Sequence, residues 1–368
     1  MGQAAGSSHR KIRLGVIFGG RSGEHEVSLN SAQSVMGALD TEKYKVIPIG
    51  IDKTGRWITG DVVASLTTGE LTADPAALLP DPGHAALLQV EMNEQQPSTL
   101  AVITELDVVF PVLHGPYGED GTVQGLLELA GIPYIGAGVV GSAVGMDKAI
   151  FKQVMTASGI PVLPWQLVLR SSWTRNDQAI LDMLESRLKY PVFTKPANLG
   201  SSVGIAKCDN RIELQAGMDE AAAHDRRIVI EQGIDARELE ISVLGNDEPV
   251  ASVVGEIRPR REFYDYTAKY VSDDSELIIP ADLPAELARD MRATAVKAYQ
   301  AIDCAGLGRV DMLLDKQTGA WYINEINTIP GFTRISMYPK LWEASGLSYS
   351  DLLDKLITLA LQRHSEKQ

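Results

Sequence analysis

Cysteine is scarce: Cys208 and Cys304 are the two in 368 residues. They stand alone, in no paired ligand spacing, which excludes a disulfide framework and fits a reducing compartment, hence the cytoplasm. Six scattered histidines form no His-Glu-x-x-His, which argues against a zinc hydrolase. No Gly-Lys dipeptide occurs, so there is no Walker A loop. No apolar run approaches the roughly 18 residues of a membrane span. Residues 1–11 are small and polar and lack the apolar centre of a secretory signal, so they read as a disordered tail. Basic residues are outnumbered, 34 Lys and Arg against 48 Asp and Glu, for a formal net charge of −14. No nucleic-acid partner is expected from that balance.

The most informative stretch lies late in the chain. Gly308-Arg309-Val310-Asp311-Met312-Leu313-Leu314-Asp315 and Trp321-Tyr322-Ile323-Asn324-Glu325-Ile326-Asn327 alternate apolar and polar residues around a polar turn holding Gly319. This predicts two antiparallel strands and a tight loop. Side chains two apart share a face. Folding about Thr318 then sets Asp311 opposite Glu325 and Arg309 opposite Asn327. Two carboxylates facing each other on a sheet repel unless a cation lies between them. Hard oxygen ligands of that kind suit Mg²⁺, and magnesium on carboxylates points to a nucleotide polyphosphate. The same residues would also make a solvated face with an Arg–Asp pair, and the hairpin alone leaves both readings open.

A chain of 368 residues is expected to hold two or three domains. Residues 12–18 and 45–51 read as strands with a helix to about residue 39 between them, and 106–113 as a third strand. The alternation predicts an open parallel sheet with a crevice at its strand ends. Glu24 follows the first strand, either as a surface carboxylate or as the partner of a substrate ammonium. His114 ends the third strand and opens His114-Gly115-Pro116-Tyr117-Gly118-Glu119-Asp120-Gly121, three glycines in eight residues. Such a loop suits close ligand approach, and His114 is either a structural histidine or a site residue. A helix is expected at 122–130. Residues 61–104, rich in Ala, Leu, Pro and Gly, read as a variable insertion with a little secondary structure.

Gly136-Ala137-Gly138-Val139-Val140-Gly141 fits G-x-G-x-x-G, but a dinucleotide site needs an acidic residue about 20 positions on. None occurs from Lys148 through Asn176. A dehydrogenase is therefore rejected, and the glycines are expected to allow a turn and close helix packing. Met146-Asp147-Lys148 opens a helix from which Lys148 can reach a phosphate. Residues 190–196 read as a strand carrying Lys195. The small-residue loop after it, with Ser201 and Ser202, can turn N–H and hydroxyl groups toward an anion. Residues 228–234 read as a strand that carries Glu231, and Glu238 lies seven residues on. Amphipathic helices are expected at 283–303 and 352–361, the second capped by Ser350.

A lysine strand, a glycine-serine flap, Glu231 with Glu238, and a terminal Asp/Glu/Asn hairpin, in that order, resemble the ATP-grasp fold. Seven segments in register, at 19–28, 114–121, 146–148, 195–204, 263–270, 308–311 and 324–332, are similar to the D-alanine–D-alanine ligase family. The resemblance runs from about residue 12 to residue 361. It implies an α/β (α+β) fold: an N-terminal open parallel α/β sheet domain at 12–146, and two α+β domains clasping ATP at 147–236 and 237–368. It implies an ATP-dependent ligase that joins two D-alanines through an acyl phosphate for peptidoglycan precursor synthesis, and it suggests a homodimer.

By the same resemblance Lys148, Lys195 and Lys269 bind phosphates, and Asp311, Glu325 and Asn327 hold two Mg²⁺ ions, for which Mn²⁺ can substitute. Arg309 and the backbone N–H of Gly331 donate to an oxyanion. Glu24 binds the first ammonium, His114 lies at the substrate, and Ser336 binds the second carboxylate. Ser201 and Tyr270 bridge to Glu24 to close the site, and Ser202 belongs to the same flap. Glu231 and Glu238 contact adenine and ribose. The long aromatic segment 261–275 is expected to form a lid that keeps water from an acyl phosphate. Tyr270 within it favours an amine over a hydroxyl nucleophile. The flap reads Pro-Ala-Asn-Leu between Lys195 and Gly200, where many relatives carry a charge. The alternatives are a ligase of the same fold with a different amino acid, and a non-enzymatic nucleotide-binding regulator. The latter would have lost Asp311, Glu325 or Asn327.

Overall fold

The computed structural model describes residues 10–68, 73–91, 99–200, 203–259 and 275–367. Three sheets follow one another along the chain. The first is built from β1 (Ile12–Gly19), β2 (Tyr44–Ile51), β3 (Trp57–Thr59), β4 (Asp74–Leu78), β5 (Ala86–Glu91), β6 (Thr99–Glu105) and β7 (Val108–Val112), with α1 (His25–Ala38) and α2 (Val62–Thr68) between strands. Its order is β6-β5-β4-β3-β2-β1-β7. The centre, β2-β1-β7, is parallel. β1 and β7 are apolar over most of their length and fully buried there, as a strand covered on both faces must be.

The parallel part stops at β2, because β3 to β6 run antiparallel. Short loops join β2 to β3 and β4 to β5, and neither is long enough for a parallel crossover. The region 61–104 thus holds more than a little secondary structure: it supplies α2 and three of the seven strands of the sheet. Its strands hid because β4 contains Pro75 and the edge strand β6 is largely exposed, which leaves little contrast between its faces.

α3 (Thr122–Leu129), α4 (Val139–Met146) and α5 (Lys148–Ala157) lead into the second unit. In the stretch that mimics a dinucleotide loop, Gly136 takes φ +102°, and a Cβ on Gly141 would lie 2.7 Å from the Asp303 carbonyl. Turn and close packing account for both. The second sheet contains β8 (Trp165–Leu169), β9 (Val192–Pro196), β10 (Ala206–Cys208) and β11 (Arg227–Gln232), backed by α6 (Arg170–Arg175), α7 (Asp177–Arg187) and α8 (Arg211–His224). Its order is β10-β9-β11-β8, antiparallel throughout.

The third sheet, β14-β13-β12-β15-β16, is made of β12 (Ala236–Gly245), β13 (Val250–Pro259), β14 (Ser275–Ile278), β15 (Gly306–Asp315) and β16 (Trp321–Asn327). α9 (Ala285–Ala301) buries Met291, Ala295, Ala298 and Tyr299 against it. α10 (Met337–Ala344) and α11 (Tyr349–Glu366) close the chain. α11 starts earlier than the sequence suggests and is capped by Ser348, whose hydroxyl accepts from the Asp351 N–H at 3.2 Å. Ser350 lies inside the first turn and donates to the Ala38 carbonyl instead, at 3.1 Å.

Candidate active site

The late hairpin forms in the expected register, with Asp311 paired to Glu325 and Arg309 to Asn327. A bulge follows Asp311 and shifts the pairing by one, so that Met312 faces Ile323. On the other side of β15, Asp311 pairs with Glu240 of β12. Alternation puts Glu238 and Glu240 on one face. Arg309 forks onto Asp311, Nε to Oδ1 and a terminal nitrogen to Oδ2, both at 2.7 Å. Its Nε also lies 3.0 Å from Glu240 Oε2, and Asn327 Nδ2 donates to Asp311 Oδ2 at 3.0 Å.

This face lines a cleft of about 1210 Å³ that also takes in Glu24, Glu119, Lys148, Lys195, Glu231 and Glu238. Lys148 begins α5, whose first N–H groups are capped by Asp147: Oδ1 accepts from Ala149 at 3.1 Å and from Ile150 at 3.0 Å. The Lys148 ammonium donates to the Leu199 carbonyl in the loop after β9. Lys195 donates to Glu231 Oε2 at 2.6 Å across the β9–β11 pair, and Lys152 of α5 donates to Glu231 Oε1. Burial opposes ionisation of Glu231, but the two lysines overcome it and pull its pKa down to about 2.

The first unit reaches into the same cleft. Glu24 is 6 % exposed. A Cβ on Gly115, at φ +72°, would meet Glu24 Oε2 at 2.9 Å, and one on Gly200 would lie 3.3 Å from it. The glycine loop and the flap therefore both close on this carboxylate because they lack side chains there. His114 donates from Nδ1 to the Ile329 carbonyl at 2.9 Å. Its buried Nε2 has no hydrogen-bond partner among the described residues. Burial holds His114 neutral, its pKa below the usual range despite Glu24, so Nε2 carries a lone pair. Gly331 lies beside Ser336, whose Oγ would be 3.2 Å from a Cβ there. Ser336 Oγ in turn accepts from the Thr333 N–H at 3.1 Å.

Of the expected residues that can be described, Glu24, Lys148, Lys195, Glu231, Glu238, Arg309, Asp311, Glu325 and Asn327 line this cleft, whereas His114, Gly331 and Ser336 are not among its lining residues. Ser201, Ser202, Lys269 and Tyr270, with nearly all of the expected lid at 261–275, lie outside the described residues. Three residues were missed. Lys152 was legible as the i+4 neighbour of Lys148 on one helix face, and Glu240 as the i+2 neighbour of Glu238. Glu119 accepts from the Gly115 N–H at 2.9 Å. Burial and the charges of Glu24 and Glu325 push its pKa up to about 8. Nothing in its loop sequence announced that.

Among the described residues no group of three or more His, Cys, Asp or Glu is set to hold a metal. The donor set at the hairpin is two carboxylates and an amide, and it fits a hard cation. An ionised carboxylate has about four lone-pair sites, so Asp311 can accept from Arg309 and Asn327 and still bind an ion. Burial is the largest cause of the raised pKa of Glu119, and the charges of Glu24 and Glu325, which a nearby cation would offset, add to it.

Comparison with known proteins converges on one family. The D-ala D-ala ligase N-terminus matches residues 13–137 and the D-ala D-ala ligase C-terminus residues 154–358. A D-alanine–D-alanine ligase of Heliobacterium modesticaldum is 53 % identical over 360 residues, 97 % of each chain. One from Natranaerobius thermophilus is 50 % identical over 361 residues with the same coverage. The crystal structure of the VanG D-Ala:D-Ser ligase from Enterococcus faecalis superposes with a TM-score of 0.84 at 37 % identity, covering 95 % of this chain and 100 % of that one. The D-alanine–D-alanine ligase of Coxiella burnetii gives 0.82 at 36 %, covering 97 % and 96 %. With its three sheets around one acidic and lysine-lined cleft, the chain belongs to the D-alanine–D-alanine ligase family and has the ATP-grasp fold.

Proposed function

We infer that this chain is an ATP-dependent ligase that joins two D-alanines into D-alanyl-D-alanine for peptidoglycan precursors. One observation carries the reading: Glu24, Lys148, Lys195, Arg309, Asp311 and Glu325, from distant parts of the chain, line a single cleft. The carboxylate of the first D-alanine takes the γ-phosphoryl group of ATP, forming an acyl phosphate and ADP. The amine of the second attacks that carbonyl, loses a proton, and phosphate leaves as the peptide bond forms.

Phosphoryl transfer is mainly positioning and charge neutralisation. Lys148 and Lys195, with Lys269, hold the phosphates, and Glu231 and Glu238 receive adenine and ribose. Asp311, Glu325 and Asn327 hold two Mg²⁺ ions, or Mn²⁺, which neutralise phosphate charge when bound. Glu24 pairs with the first ammonium, and the His114 Nε2 lone pair accepts from a substrate donor. Arg309 and the Gly331 N–H donate to the oxyanion formed by attack, and Ser336 binds the second carboxylate. Ser201, Ser202 and Tyr270 belong to the flap and lid that shut the cleft over Glu24. The division into 12–146, 147–236 and 237–368, a homodimeric assembly and a cytoplasmic location complete the proposal. No helix among the described residues is long and apolar enough to cross a membrane.

Phosphate release from ATP and Mg²⁺ tests this, with D-alanine, L-alanine, D-serine and D-lactate supplied singly and in pairs. D-alanine alone is expected to support turnover and to yield the dipeptide. Release that ignores D-alanine overturns the reading. Turnover that requires D-serine beside D-alanine reassigns the second substrate.

A further inference from the structure

Lys152 is 2 % exposed, and so is the carboxylate that it meets, Glu231. A buried ammonium persists only where a counter-charge holds it, and Glu231 Oε1 is that partner. The other oxygen of Glu231 is taken by Lys195 at 2.6 Å. The two lysines differ in what else they face. Lys195 and Glu231 line the cleft, whereas Lys152 does not. It comes from the inner side of α5, between Phe151 and Met155, which are buried in the core. Lys148, one turn earlier, points into the cleft.

We propose that Lys152 is a positioning residue: a fixed counter-ion that holds Glu231 from behind the cleft, so that Lys195 can leave it for the phosphates of a nucleotide. The inference rests on the cleft being the ATP site. Two ammonium groups on one carboxylate leave an excess of one positive charge, presented through Lys195. An arriving polyphosphate then competes for Lys195 against a carboxylate that keeps its other partner. Without Lys152, Lys195 and Glu231 form a closed neutral pair. Withdrawing Lys195 would then strand a buried anion, which is the costly way to break a buried pair. Lys152 itself touches no substrate and acts through Glu231.

The test compares Lys152→Met, Glu231→Gln and the double variant in the full-length protein. Lys152→Met is expected to raise KM for ATP by about tenfold or more while KM for D-alanine stays within about twofold, a split that general loosening would not produce. In the double variant no carboxylate remains to retain Lys195, so KM for ATP is expected to be no higher than for Glu231→Gln alone. Additive effects, an unchanged KM for ATP in Lys152→Met, or KM for both substrates rising together would overturn the proposal. Should Lys152→Met fail to fold, the native protein decides. With lysine ammonium nitrogens labelled for NMR, Mg²⁺ and a non-hydrolysable ATP analogue should shift the Lys195 signal and leave that of Lys152 in place. Movement of Lys152, or none at Lys195, counts against it. A wild-type protein with no D-alanine-dependent phosphate release would refute the functional reading instead, independently of these variants.

Discussion

At Glu119, burial and the charges of two other carboxylates oppose ionisation together. Burial comes first and the Glu24 charge second, and Glu325 adds to both, so the carboxyl keeps its proton up to about pH 8 although Gly115 donates to it. The folded state therefore holds a proton that the unfolded chain releases near the ordinary value of 4.5. A group whose folded pKa is raised contributes stability that is whole below the unfolded pKa and is lost as pH rises through the folded one. Between about pH 4.5 and 8 the protein should lose stability to this residue, on the order of a few kcal/mol. Glu119→Gln keeps an acceptor for Gly115 and removes the titration. In EDTA, urea unfolding near pH 5, 7 and 9 should show a falling stability in the wild type and a flatter profile in the variant. Added Mg²⁺ should flatten the wild-type profile too, because a cation near Glu325 favours the ionised carboxyl. Identical slopes in the two proteins would contradict the assignment.

The hairpin β15–β16 was legible because everything that specifies it is local. Alternation set the faces, and Asp315, whose Oδ1 accepts from Gln317 at 2.7 Å and Thr318 at 3.0 Å, closes a turn in which Gly319 takes φ +71°. The pairing of Asp311 with Glu325 followed from the chain folding at Thr318. The bulge after Asp311 did not, since an extra residue leaves no mark in an alternating pattern. Lys152 and Glu240 could be placed by their spacing from Lys148 and Glu238, but their partners Glu231 and Arg309 lie far along the chain, and only the packed structure shows which charge meets which. Ser350 was mistaken for a cap because Ser348 and Ser350 are equally good capping types. The hairpin also carries the metal prediction. Glu325→Gln is nearly isosteric and faces the cleft, so far-UV circular dichroism and the melting temperature should hardly change. Turnover should fall on the order of 10²-fold or more if Glu325 binds the cation. Near-normal kcat at saturating Mg²⁺ would remove Glu325 from the ligand set.

At the scale of the molecule, the last helix joins the first sheet to the third. Leu352, Leu353, Leu356, Ile357 and Ala360 of α11 share one core with Leu14, Val16 and Phe18 of β1, Val108 and Phe110 of β7, and Leu244 and Leu307 of the third sheet. Phe332, just past Gly331, sits in that core with its ring 5.6 Å from Phe110 in an edge-on contact. Polar ties run the same way: Lys43 reaches Asp354 at 2.6 Å, and Arg363 lies 4.5 Å over the Tyr134 ring. The second sheet has a core of its own, built on Val168, Trp173, Leu181 and Leu184. The segment that holds Gly331 is therefore anchored, through Phe332, in the core that the first and third units share. Those two units should unfold together. Leu356 is fully buried, and Leu356→Ala should cost about 2–5 kcal/mol by removing packed methyl groups at the junction. Two single-tryptophan versions can report on it, one keeping Trp57 of the first sheet and one keeping Trp342 of α10. Both should lose native fluorescence at the same urea concentration, and Leu356→Ala should lower both midpoints by the same amount. A substitution in α11 that shifted the Trp342 transition and left that of Trp57 behind would mean that the two units fold independently, and the shared core would then be a contact rather than a joint.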